Sequence, residues 1–242
     1  MKARPGILPW RVLCASAFLA LLLVFSQYDR HARAQARLPV DLLLVLSIDC
    51  SYSVDKTEFD LQAQGTAWAF THPDIKDAIQ RGPYKRIAVS VVQWAGADKQ
   101  HIAVPWRVVS TGEEADALAQ EISSMPRVLA HGSTSIAGML HFGRTMLLEA
   151  PFAPLRLTLD IAADGRNNTG GNMRPLRDAV VNEGITVNGL AILNEVPTLN
   201  YYFQREVIGG VGSFVIVAKN YDNFQQAIYR KLLREIIGPG IT

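Results

Sequence analysis

Cysteine is nearly absent from the chain: Cys14 and Cys50 are the only two in 242 residues. Cys14 lies within the apolar run 12–25, away from its end, and is badly placed for lipoprotein processing. A chain processed after Ala36 keeps Cys50 alone, which excludes an intramolecular disulfide. Cys50 reads as a small buried residue rather than a reactive nucleophile. Basic runs are missing too. Beyond position 36 there are 19 basic and 21 acidic residues, a net charge of −2. With no cationic stripe there is no footprint for a phosphate backbone, and nucleic acid is not an expected partner. The signatures of several hydrolases are also lacking: no G-x-S-x-G, no H-E-x-x-H, and Ser51 where a phosphoaspartyl hydrolase would carry a second aspartate. Gly209-Gly210-Val211-Gly212 precedes a strand pattern and lacks a following Lys-Ser/Thr, so it reads as a turn, not a phosphate cradle. His72, His101 and His141 show no metal-ligand spacing, whereas His131 sits just before a loop of interest.

What is present describes a globular chain. Hydrophobic residues make up 49% and charged residues 19%, proportions of a folded domain. The first 36 residues resemble an export signal. Lys2, Arg4 and Arg11 precede the apolar run 12–25, and Ala34-Gln35-Ala36 offers a small-x-small cleavage site. The expected organisation is therefore a signal peptide over 1–36 and one domain over 37–242, periplasmic or secreted. If the apolar segment stays uncleaved, with 7–25 approaching spanning length, the domain is instead anchored to the inner membrane.

After Pro39 strand and helix patterns alternate. Strands are predicted at 40–48, 86–94, 101–109, 155–163, 185–193 and 214–218, and helices at 56–70, 112–124, 134–149, 173–183, 201–207 and 221–237. The turn 95–98 makes 101–109 an antiparallel hairpin partner of 86–94, and Pro105 favours an edge position for it. The fold class is α/β: a doubly wound, mostly parallel sheet with one antiparallel edge strand and helices on both faces. Trp94 and Trp106, on the hairpin, read as packing residues.

The chemistry concentrates at loops that such a sheet gathers on one edge. Asp49-Cys50-Ser51-Tyr52-Ser53 follows the first strand as D-x-S-x-S. Gly132-Ser133-Thr134-Ser135 opens a helix, and Ala163-Asp164-Gly165 ends a strand. Asp49, Ser51, Ser53, Thr134 and Asp164 are hard oxygen donors suited to Mg²⁺. Taken alone, D-x-S-x-S is also compatible with an ordinary strand-to-helix turn capped by Ser53 or Asp55. Asn167-Asn168-Thr169 matches a glycosylation pattern but reads as loop chemistry.

These residues together resemble the metal-ion-dependent adhesion site of von Willebrand factor A domains, and the likeness runs from Val40 to Ile237. The segments 86–94, Asp164-Gly165-Arg166-Asn167-Asn168 and Ile208-Gly209-Gly210 resemble, more closely, an uncharacterised family of exported bacterial proteins with this domain. The resemblance implies Ser51 and Ser53 as direct ligands of Mg²⁺, or of Mn²⁺ or Ca²⁺. It implies Thr134 as a direct or water-bridged ligand and Asp49 and Asp164 as water-mediated ones. It also implies a protein partner that supplies an Asp or Glu carboxylate to the ion. Ala163 departs from the Thr or Ser that many members of the superfamily carry there. Arg166 either weakens metal binding or grips an acidic partner. A metal-assisted phosphate or sulfate ester hydrolase, and a domain that keeps the fold without the metal, are the alternatives.

Overall fold

The computed structural model describes residues 37–129 and 132–239; the expected signal segment and His131 lie outside them. Among the described residues no helix is long and apolar enough to cross a membrane.

Six strands form one sheet: β1 (Leu38–Asp49), β2 (Ile87–Trp94), β3 (Gln100–Val109), β4 (Phe152–Ala163), β5 (Ile185–Ile192) and β6 (Val215–Ala218), in the spatial order β3-β2-β1-β4-β5-β6. β2 lies parallel to β1, with Leu42 opposite Ile87 and Asp49 opposite Trp94. β5 is parallel to both β4 and β6. Only β3 pairs antiparallel, at the edge, and its register against β2 shifts between Val89 and Val92. Pro105 sits on this edge strand, where its missing N–H costs no ladder bond on the open side. The order reverses between β1 and β4, which makes the gap between their carboxyl ends the topological switch point, the usual ligand crevice of an open α/β sheet.

Alternation along β1 explains how it is buried on both sides. Leu42, Leu44, Leu46 and Ile48 join one core layer, while Leu43 and Val45 join the other. The first layer is covered by α1 (Lys56–Thr71), α2 (Pro73–Arg81), α3 (Gly112–Ser124) and α7 (Phe224–Ile237), and the second by α4 (Ile136–Glu149), α5 (Met173–Asn182) and α6 (Leu199–Tyr202, continued by a π turn Phe203–Val207). Trp94 is fully buried, and Trp106 packs edge-on against Phe152 with ring centroids 6.0 Å apart.

Of the boundaries that differ from the sequence reading, three have a clear local cause or consequence. His72-Pro73 does end α1, but it also starts α2, with the His72 imidazole accepting from the Asp74 N–H and Pro73 in the first turn, where no N–H is needed. The fourth helix begins at Ile136 rather than at 134, because Ser135 is its cap and accepts from the Gly138 N–H at 3.0 Å. Thr134 is thereby left in the loop. The last helix opens with a 3₁₀ turn, Tyr221–Asn223.

Candidate functional site

Asp49 is the last residue of β1, so its position is set by eight residue pairs of parallel ladder. Its Oδ1 accepts the Ser51 N–H at 2.7 Å, an Asx-type closure that turns the chain out of the strand. Asp55, not Ser53, caps α1: its carboxylate accepts from Glu58 N–H at 2.8 Å while Glu58 Oε2 accepts from Asp55 N–H at 2.9 Å. The capping role thus falls on a neighbour, and Ser53 is left to face the crevice. Ser53 Oγ donates to Asp164 Oδ1 at 2.7 Å and lies 3.3 Å from Ser51 Oγ.

Thr134 comes to the same place through a clasp between loops. Its N–H donates to Asn168 Oδ1 at 3.0 Å and its carbonyl accepts the Asn168 N–H at 2.9 Å. Asn167 Oδ1 accepts the Ala137 N–H at 3.0 Å, and Ser135 Oγ donates to the Thr169 carbonyl at 3.1 Å. The Asn-Asn-Thr segment is therefore used as loop chemistry, with both amide side chains engaged. Gly170 closes it at φ +88°, where a Cβ would lie 2.3 Å from Ser135 Oγ. Gly165 lies against the Thr134 side chain, with space for a Cβ only 3.4 Å from Oγ1. All five sequence-predicted donors are thus gathered at one crevice: Asp49, Ser51, Ser53 and Asp164 in one connected set, and Thr134 beside the last of them.

The electrostatics of the crevice are unbalanced. Asp49 is fully buried, its Oδ2 has no hydrogen-bond partner among the described residues, and Asp164 is equally inaccessible. Burial first, then the charge of Asp164, pushes the Asp49 carboxyl up to about 7. Burial raises Asp164 as well, opposed by hydrogen bonds from Ser53 and from Tyr221, whose hydroxyl donates to Oδ2 at 3.1 Å. An orphaned carboxylate oxygen, a second buried carboxylate and three hydroxyls are a donor set that a hard cation would complete, so these residues fit a divalent ion. Among the described residues no three His, Cys, Asp or Glu side chains form a group that could hold a metal ion by themselves, so any ion here depends on the hydroxyls.

Cys50 Sγ, 3.9 Å from Gln93 Oε1, is buried, and that burial and the Asp49 charge push its thiol up to about 12, far from a reactive thiolate. Arg127 straps the same turn from outside, donating to the Val54 carbonyl at 2.8 Å and the Cys50 carbonyl at 3.1 Å.

Sequence reasoning missed Tyr221, Gln62 and the acidic side chains Glu58 and Glu195. Gln62 Nε2 donates to the Asp49 carbonyl at 3.1 Å, and the charges of Asp164 and Glu195 both add to the burial that raises Glu58. Tyr221 opens the last helix, far along the chain, with no spacing to mark it. The Asn pair, by contrast, was visible beside Asp164. Arg166 stands at the rim: its Nη2 donates to Thr198 Oγ1 at 3.0 Å, and its guanidinium lies 5.7 Å from the Tyr202 ring centre.

Solved structures share this architecture. A structure of proximal thread matrix protein 1 from the mussel byssus, described with a zinc-occupied MIDAS motif, superposes with a TM-score of 0.56 at 14% identity, covering 83% of this chain and 48% of that one. The pilus adhesin SpaC from Lactobacillus rhamnosus GG gives 0.53 at 15% identity over 84% and 30%. A von Willebrand factor type A protein from Catenulispora acidiphila gives 0.54 at 14% over 82% and 43%. The chain spans about half or less of the length of these relatives, and at such identities the likeness establishes the fold, that of von Willebrand factor A domains. No curated protein matches the chain. A family model matches residues 39–240, essentially the whole of the described domain, and the chain therefore belongs to the family described as a protein of unknown function, DUF1194.

Proposed function

We propose that this chain is an exported protein-binding module that engages its partner through a divalent ion, Mg²⁺ or the similar Mn²⁺ or Ca²⁺. One observation carries the reading: among the described residues Asp49 Oδ2 is buried and unpartnered beside a second buried carboxylate, in a crevice otherwise built of hydroxyls. A buried charge without a partner is costly, and a cation offsets that cost. Ser51 and Ser53 would hold the ion directly, Thr134 directly or through water, and Asp49 and Asp164 through water. When bound, the ion supplies positive charge that few carboxylates compensate, and a place for an Asp or Glu carboxylate of the partner. Arg166, exposed at the rim, would pair with an acidic group on that partner. The adhesin and matrix roles named for two structural relatives support the interaction class, and the zinc-occupied motif of one supports the metal. Export rests on the charged, apolar and small-x-small order of residues 1–36.

Capture from an envelope extract of the source organism tests this reading. Binding proteins should be retained with Mg²⁺, released by chelator, and lost with Asp49→Ala and Asp164→Ala. Metal-dependent turnover of a phosphate or sulfate ester, abolished by Asp49→Ala and with no metal-dependent partner recovered, would overturn it in favour of a hydrolase.

A further inference from the structure

The rim of the crevice is charged differently on its two sides. Toward α1, Asn194 holds two carboxylates together, its amide donating to Glu58 Oε1 at 3.2 Å and Glu195 Oε1 at 3.4 Å, and the charge of Glu195 bears on Asp164. Away from α1, the loop after β4 brings Arg166 next to Arg205 on the π turn that follows α6. These two arginines, with Thr198, Tyr201 and Gln204, line a cleft of about 440 Å³. Arg166 is steadied by its bond to Thr198 Oγ1 and by the Tyr202 ring, which engages one N–H and leaves the others of its planar fork available. Neither Arg166 nor Arg205 is in an ion pair among the described residues; the adjacent Glu206 is taken up by two bonds from Arg174. Tyr201, 59% exposed, gives the cleft an amphipathic wall.

Two arginines outside any salt bridge among the described residues, lining one cleft, are suited to a carboxylate, which a guanidinium grips through two parallel hydrogen bonds. We infer that this cleft receives a second carboxylate of the protein partner, so that the recognised epitope is a pair of neighbouring acidic residues, one directed to the metal crevice and the other to Arg166 and Arg205. The inference rests on the metal-dependent reading above and extends it to partner chemistry. The acidic side of the rim supplies the direction: Glu58 and Glu195 repel an acidic segment that approaches from α1, so the segment must run from the crevice toward the arginines.

Random dodecapeptides displayed on phage, panned on the purified chain in Mg²⁺ and eluted with chelator, test the inference. The selected peptides should carry two acidic residues. Panning on the Arg166→Gln/Arg205→Gln double variant should retain one acidic position and lose the other, and a selected two-acid peptide should bind that variant roughly ten- to a hundred-fold more weakly. Both arginines are exposed, and the rise in melting temperature on adding Mg²⁺ should be the same in the variant, which separates a lost contact from a damaged metal crevice. A single acidic position selected equally on both proteins would overturn the role of the cleft and leave the metal reading standing. The absence of any chelator-eluted peptide would overturn both.

Discussion

At the scale of single residues, Asp49 is under opposed demands. Its carbonyl is held by Gln62 and its Oδ1 by the Ser51 N–H, so the side chain cannot swing out to water, yet Oδ2 finds no donor among the described residues. A carboxylate in that position favours the bound cation and disfavours the empty fold. Asp49→Asn should therefore be at least as stable as the natural chain in chelator, while losing its response to metal. In the natural chain, Mg²⁺ at about ten times its dissociation constant should add about 1.4 kcal/mol. Thermal denaturation of both proteins with and without Mg²⁺ checks this; equal responses would remove Asp49 from the site. Most of the donor set was legible in sequence because strand ends and helix starts are legible: Asp49 and Asp164 each follow an apolar run, and Thr134 stands where a helical period opens. Tyr221 was not, since its approach to Asp164 depends on where α7 docks, which no local pattern records.

At the scale of elements, α7 is fixed to the sheet by a buried ionic cluster that the hydrophobic pattern concealed. Lys231 Nζ, fully inaccessible, lies 2.6 Å from Asp160 Oδ1 on β4 and 2.5 Å from Glu235 Oε1 one turn on, and Asn188 on β5 donates to the same Glu235 oxygen at 2.9 Å. Lys231 and Glu235 lie one turn apart on the helix, and only tertiary packing turns them inward against Asp160 and Asn188. The helix end is held as well, with Arg156 donating to the carbonyls of Glu235 and Ile236 at 2.6 and 2.8 Å. Lys231→Met leaves two carboxylates buried without their cation and should cost about 3–5 kcal/mol in urea denaturation. Burial pushes the Asp160 carboxyl up to about 7, with Lys231 pulling the other way. A raised carboxyl means that the folded chain keeps a proton the unfolded chain releases, so this group lowers stability progressively as pH rises from about 4 toward 7. Asp160→Asn removes that slope: the unfolding free energy of the variant minus that of the natural chain should rise across this window, measured in chelator to hold the metal crevice constant. A flat difference would show that Asp160 titrates alike in both states. The helix α2 escaped the sequence reading for a related reason, since Pro73 is read most readily as a stop, although a proline in the first turn is equally a start.

At the scale of the whole molecule, the strand-helix alternation sufficed for the architecture, because a sheet whose strands are apolar on both faces has to be covered on both faces. Which helix covers which face, and the short continuation of α6 as a π turn, came only from the structure. The expected export signal carries its own test: the mature chain should begin near Arg37 and be found in the periplasm or outside the cell, as terminal sequencing of the native protein would show. A full-length chain resisting a carbonate wash would instead mark residues 1–36 as an anchor. The sheet's two edges set how such a chain behaves when it is concentrated. β6 is only four residues long, and β3 carries a register irregularity and a proline that cannot donate. Neither border offers the long, unbroken row of amides along which another copy could add as a further strand. At high concentration the domain is thereby protected from growing into fibrils through its sheet.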